Sequence, residues 1–134
     1  MVATVPAQVT DIARSFGVRL LALHGSRARG DHRPDSDWDF AFIPGPDTDE
    51  LGLGAALVKL LGTDAVDLCR LDTAGGLLRF RVAREGRLLF ESAPGAWEAF
   101  VFEAARFWAE AGPILSRGLR AYADSLERGE SAGG

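Results

Sequence analysis

Apolar residues fall at helical spacing in "PAQVTDIARSFG", where Val9, Ile12, Ala13 and Phe16 share a face and Gly17 supplies a stop. The next run, "VRLLALHG", is apolar without a break and short, which predicts a buried strand ending at Gly25. "DHRPDS" is a loop by composition. "DWDFAFIP" alternates, is rich in aromatics and predicts a strand closed by Pro44. "DTDELGLGAALVKLLG" predicts a helix capped at Asp47 or Thr48, carrying Leu51, Leu53, Leu57, Leu60 and Leu61 and weakened by Gly52 and Gly54. "DAVDLCRLD" predicts a third strand, "TAGGLLRFRVAREG" a helix up to Gly86, and "RLLFES" a fourth strand. From Pro94 to Gly129 the chain is helical in pattern, with Pro113 expected to break or kink it. Helices and strands alternate, so the expected class is α/β or α+β, a small sheet flanked by helices with helical structure at the C-terminus.

Neither a repeat nor an internal linker interrupts this order. The 134 residues are expected to form one domain, with the tail from about Gly129 frayed. Composition narrows the function. The formal net charge of −4 argues against broad electrostatic binding to nucleic acid, which wants a basic face. Fourteen of the fifteen cationic side chains are Arg, which reads as coding bias rather than chemistry. A single cysteine, Cys69, excludes an internal disulfide and has no CxxC or neighbouring His to support a zinc or nucleophile reading. No apolar run approaches the ~20 residues of a membrane span and no leader pattern opens the chain. A reduced, cytoplasmic protein is expected.

The chemistry is concentrated in "GSRARGDHRPDSDWDF", residues 25–40. Side chains alternate along a strand, so Asp37 and Asp39 point one way while Trp38, Phe40 and Phe42 point into a core. Two carboxylates about 6–7 Å apart repel unless a cation lies between them, and a hard cation such as Mg²⁺ takes such oxygens together with those of a phosphate. Ahead of them, Gly25 and Ser26 end a strand and precede "RARG", one helical turn. Gly25 lets a phosphate approach the main chain, Ser26 adds a hydroxyl donor, and Arg27 or Arg29 can add charged donors. Arg29 can equally pair with Asp31 or Asp35 and only shape the loop. Asp67 supplies a third carboxylate from within the apolar run "VDL", where a charge is unfavourable unless paired or metal-bound. Asp64 and Asp72, at the ends of that run, read as ordinary solvated carboxylates. His24 reads as a hydrogen-bonded core edge with no role, and His32 as a solvated loop residue. Trp97, Phe100, Phe102, Phe107 and Trp108 form an aromatic helix, mostly core and in part a partner surface.

"GSRARGDHRPDSDWDF" resembles the signature of the DNA polymerase β-like nucleotidyltransferase superfamily: Gly-Ser, a spacer, then Asp-x-Asp. With "VDLCRLD" and "LLRFRVAREGRLLFE", it is similar in particular to the minimal nucleotidyltransferase (MNT) antitoxins, over roughly residues 8 to 110. The resemblance implies a nucleotidyltransferase fold and transfer of AMP from ATP to a hydroxyl, with two Mg²⁺ ions. It implies that Gly25 and Ser26 hold the triphosphate and that Asp37, Asp39 and Asp67 are metal ligands. It further implies an α-helical HEPN ribonuclease toxin as partner, with one of its tyrosines as acceptor, in a type VII toxin–antitoxin pair. Two other readings stand beside this one. The domain could neutralise its partner by contact without catalysis, or could modify a small molecule, for which an added substrate domain is expected and not seen.

Overall fold

The structure, a computed structural model, describes residues 3–129; the segment expected to fray lies at 130–134, outside the described residues. In chain order the elements are α1 (Gln8–Ser15), β1 (Leu20–His24), α2 (Gly25–Arg29), β2 (Trp38–Ile43), α3 (Glu50–Leu61), β3 (Val66–Arg70), α4 (Gly76–Glu85), β4 (Arg87–Glu91) and α5 (Ala96–Glu127). They build a mixed α+β fold on one four-stranded sheet, order β3-β2-β1-β4. β1 is antiparallel to both neighbours, while β2 and β3 run parallel through the α3 crossover.

β1 reads as unbroken apolar sequence because both of its faces are covered. Leu21 and Leu23 pair with Phe42 and Phe40 and pack with Val9, Ala13, Leu53 and Leu57 from α1 and α3. Leu20, Ala22 and Ala41 pack on the other face with Leu71, Val82 and Phe100, from the end of β3, α4 and α5. Full burial of each large side chain contributes about 1.5–3 kcal/mol, so this double-sided core fixes the two central strands. No helix among the described residues is long and apolar enough to cross a membrane.

Three expectations are corrected. Asp49, not Asp47 or Thr48, occupies the N-cap of α3, and it makes no side-chain cap bond. Thr48 instead joins two loops: its hydroxyl accepts from the Gly45 N–H at 2.8 Å and donates to the Gly17 carbonyl at 3.2 Å. Pro113 does not break the last helix; α5 continues through it for 32 residues. Pro113 and Ala109, one turn earlier, are both exposed, so the missing hydrogen bond lies on the solvent side of the helix. The aromatic residues of α5 divide more evenly than expected. Phe100 is buried and Trp108 stacks on Phe80 with centroids 4.8 Å apart, while Phe102 and Phe107 are exposed.

Candidate active site

The strand register sets the site. His24 lies opposite Asp39 across the antiparallel pair, and Asp39 lies opposite Asp67 across the parallel pair. Residues opposite one another share a face, so the three form a row across β1, β2 and β3. It is the face of Ala22 and Ala41, with the row lying beyond the end of that core. Asp37, two residues before Asp39, belongs to the same face. Phe40 and Phe42 are fully buried on the opposite face; Trp38 is half-buried there and stacks on Phe40 at 6.3 Å.

Asp67 does not meet the burial that its apolar neighbours suggest. β3 is an edge strand and Asp67 is exposed, while Asp39, on a central strand, is half-buried. The apolar run around Asp67 packs on one side only: Val66 and Leu68 lean on the α3 core, and Asp67 points to the open side. Asp64 and Asp72 lie at the ends of the strand as expected, though Asp72 is ion-paired with Arg70 at 2.7 Å.

Gly25 follows His24 directly and has φ +71°, left-handed backbone that disfavours other residues. It is also the point of closest approach, since a Cβ there would collide with Oδ2 of Asp39. Glycine is therefore required twice over: by the turn from β1 into α2 and by the carboxylate against it. The Ser26 carbonyl accepts from the Gly30 and Asp31 amides at 2.8 and 3.1 Å and closes the single turn of α2. The Ser26 hydroxyl makes no hydrogen bond among the described residues.

The two arginines of α2 are engaged differently. Arg27 is buried; its guanidinium donates to the Ser36 carbonyl at 2.9 and 3.2 Å and to the Pro34 carbonyl at 3.3 Å, and lies 4.1 Å from the centroid of the Trp38 ring. It thereby ties the loop leading into Asp37 to the body of the domain. Arg29 is exposed and pairs with Asp31 at 3.4 Å and with Glu85 of α4 at 3.3 Å. His32 is not the solvated residue expected: it is half-buried, and its Nδ1 is sealed without a hydrogen-bond partner among the described residues.

Burial pushes the Asp39 carboxyl above the usual carboxylate range; the nearby His24 opposes this, and Asp67 and Asp37 add to it as like charges. Burial lowers the His24 imidazole, against the pull of Asp39 and Asp67 and of the Phe40 backbone carbonyl. Burial, then Asp67, raises the Cys69 thiol, which keeps it protonated and removes it as a nucleophile. His24 is the hydrogen-bonded strand edge expected, and only the strand register shows that it stands opposite Asp39.

The structure thus brings Asp39, Asp67, Asp37 and Gly25 to one end of one sheet face. It does not gather the carboxylates into a closed centre; among the described residues no group of three or more His, Cys, Asp or Glu side chains is close enough to hold a metal ion. The donors are nevertheless those a hard divalent cation takes, and the row is short of positive charge. Arg29, the nearby cation, already serves two other carboxylates.

The chain is 28% identical over 96 residues to the protein adenylyltransferase MntA of Aphanizomenon flos-aquae, covering 62% of this chain and 63% of that protein. It therefore spans somewhat less than two thirds of that curated relative. The fold matches a chain of a toxin–antitoxin crystal structure with AMP-PNP (TM-score 0.65, 24% identity, 84% of this chain and 96% of that one). It also matches a chain of the tri-AMPylated Shewanella oneidensis HEPN toxin in complex with MNT antitoxin (TM-score 0.59, 22% identity, 84% of this chain and 93% of that one). Residues 7–94, which carry the whole Gly25–Asp39–Asp67 arrangement, match the family model "Polymerase beta, Nucleotidyltransferase", and the chain belongs to that family.

Proposed function

We propose that this protein is a nucleotidyltransferase that transfers AMP from ATP to a hydroxyl of a partner protein, and that it acts as the antitoxin of a HEPN-type toxin. The observation that carries the reading is Gly25 pressed against the Asp39 carboxylate, with Asp67 in register beside it. A phosphate cradle and acceptors for a divalent cation then share one wall. The name of the adenylyltransferase relative and the toxin–antitoxin complexes of the structural neighbours support the choice of AMP and of a protein acceptor.

The residues fit two Mg²⁺ ions in donor chemistry: Asp37, Asp39 and Asp67 offer only oxygen, and the nearby Arg29 is already paired with Asp31 and Glu85. Bound ions supply charge neutralisation at the α-phosphate and to the leaving pyrophosphate. Gly25 lets the triphosphate lie close to the main chain, and the Ser26 hydroxyl donates to it. Arg27 acts as a positioning residue through Ser36 and Trp38, and Arg29 exchanges a carboxylate for phosphate oxygen. The acceptor oxygen forms a bond to the α-phosphorus while the bond to the bridging oxygen breaks and pyrophosphate leaves. Asp67, exposed on the edge strand, takes the proton of the acceptor hydroxyl.

Incubation with α-labelled ATP, Mg²⁺ and a HEPN-type partner is expected to place label on a partner tyrosine, read by mass spectrometry as an AMP-sized addition. Absence of label with the intact protein rejects the reading. A second reading, neutralisation by contact alone, is favoured by the far half of α5, where Ile114, Leu119, Tyr122 and Leu126 are all exposed. It predicts that the Asp37→Asn/Asp39→Asn double variant still neutralises the partner.

A further inference from the structure

The outer edge of β3 is the part of the site that the nucleotide does not explain. β3 is hydrogen-bonded to β2 on one side only. In a parallel ladder alternate residues direct their amide and carbonyl groups to opposite sides. Leu71 N–H bonds Phe42 and Ala65 accepts from Trp38, so the odd-numbered residues serve β2 and Val66, Leu68 and Arg70 face outward. Natural edges are commonly blunted by Lys, Pro or a bulge. The stretch "VDLCR" has no Lys, Pro or bulge, and its two charges lie on the faces of the sheet, Asp67 beside Asp39 and Arg70 paired with Glu50 of α3; the register shift of this sheet lies between β1 and β4. Against the same edge, on the α3 side, runs an apolar groove of about 430 Å³ lined by Leu51, Gly54, Ala55, Val58, Val66 and Leu68. Leu51 is 87% exposed at the mouth of this groove.

We infer that β3 receives an extended segment of the acceptor polypeptide as a fifth strand, which seats the acceptor hydroxyl beside Asp67. This rests on the transferase reading and adds to it the route by which the acceptor is held. An added strand lies about 4.8 Å from β3, and its side chains alternate as those of β3 do. The residue opposite Asp67 therefore points to the Asp39–Asp67 face, within reach of the base. The residues on either side of it point into the Leu51–Val58 groove. β3 spans about 17 Å, enough for five residues. Charge selects the segment: Glu50, Asp64, Asp67 and Asp72 border the edge against one guanidinium, Arg70, itself paired to Glu50 and Asp72. The occupant is thus a short extended stretch with basic flanks, apolar residues at alternate positions and a hydroxyl residue between them.

The test uses the full ¹⁵N-labelled chain and a blocked peptide, Lys-Val-Tyr-Val-Lys. Addition of peptide is expected to shift the Leu68 and Arg70 amides and slow their hydrogen exchange at least tenfold. Two N-methylated peptides, each blocking one alternate set of amides, should differ: one binds as the parent does and the other loses binding. Leu51→Asp, at a position too exposed to disturb folding, should weaken binding by about tenfold. Equal binding of the two N-methylated peptides, or shifts confined to α5, overturns the proposal. ATP with Mg²⁺ is titrated separately and read at the Gly25–Arg29 amides. Shifts there without any peptide effect on β3 reject the docking and leave the transferase. Protection of β3 with no response to ATP keeps the docking and rejects the transferase.

Discussion

Asp39 and Asp67 stand opposite each other in adjacent strands, yet they belong to different kinds of place. Asp39 is on β2, flanked on both sides, with Gly25 against its oxygens and a carboxyl pushed up by burial. Asp67 is on β3, open to solvent along the outer edge of the sheet. The centre of the sheet carries the crowded, desolvated half of the site, and the edge carries the accessible half. A transferase needs both: a fixed cradle for one substrate and an open flank where a second, larger one can arrive.

The largest expected difference between the two halves is in the response to Asp39→Asn. Transfer falls by about 10³-fold or more, measured with α-labelled ATP, because the central acceptor of the site is gone. The same change is expected to raise the melting temperature, since it removes a carboxylate whose ionised form burial and two like charges disfavour. Gly25→Ala is next. It loses about 10²-fold in activity and about 1–2 kcal/mol in stability, from left-handed backbone and from the collision with Asp39. Calorimetry and initial rates read the two effects.

Arg27→Ala should cost about 1–3 kcal/mol by urea unfolding, because it strips the Pro34 and Ser36 carbonyls of their donor and the Trp38 ring of its cover. Arg27→Lys recovers only part of this, a lysine lacking the fork that reaches both carbonyls. Asp67→Asn, on the open edge, should slow transfer while shifting stability by less than about 0.5 kcal/mol, in contrast to Asp39→Asn. The smallest effect is on acid stability. His24 has a folded pKa below its unfolded one, so the unfolded chain takes the proton first. The stability this contributes is present above the unfolded value and is lost as pH falls through the folded one. His24→Asn should lessen the decline of the unfolding free energy as the pH falls below the unfolded value of 6.5.

Much of this arrangement is legible in the residues themselves. The double-sided burial of β1 follows from "LLALH", and the split of acidic and aromatic faces in β2 follows from alternation alone. The Gly-Ser turn and the two nearby carboxylates can be found because they are local in sequence. What lies beyond local pattern is what depends on neighbours. Periodicity cannot tell an edge strand from a central one, so the run around Asp67 suggests a burial it does not have. Register is a property of pairs of strands, so His24 opposite Asp39 is invisible to any single run. Arg27 reads as a phosphate clamp because its charge is plain; its three bonds to loop carbonyls appear only once the loop folds back over Trp38. Proline in "AGPIL" reads as a stop because its effect is judged without knowing that the missing hydrogen bond lies on the solvent side of the helix.

The contact between Gly25 and Asp39 also makes two positions inherit together. A substitution at residue 25 is excluded by the turn and, separately, by the carboxylate, so shortening Asp39 to alanine lifts one prohibition and leaves the other. The penalty for Gly25→Ala should therefore shrink, without vanishing, in an Asp39→Ala background. A lineage that abandoned the chemistry would relax this glycine only halfway, and the residue left there would record how the chain still turns after its reaction was gone.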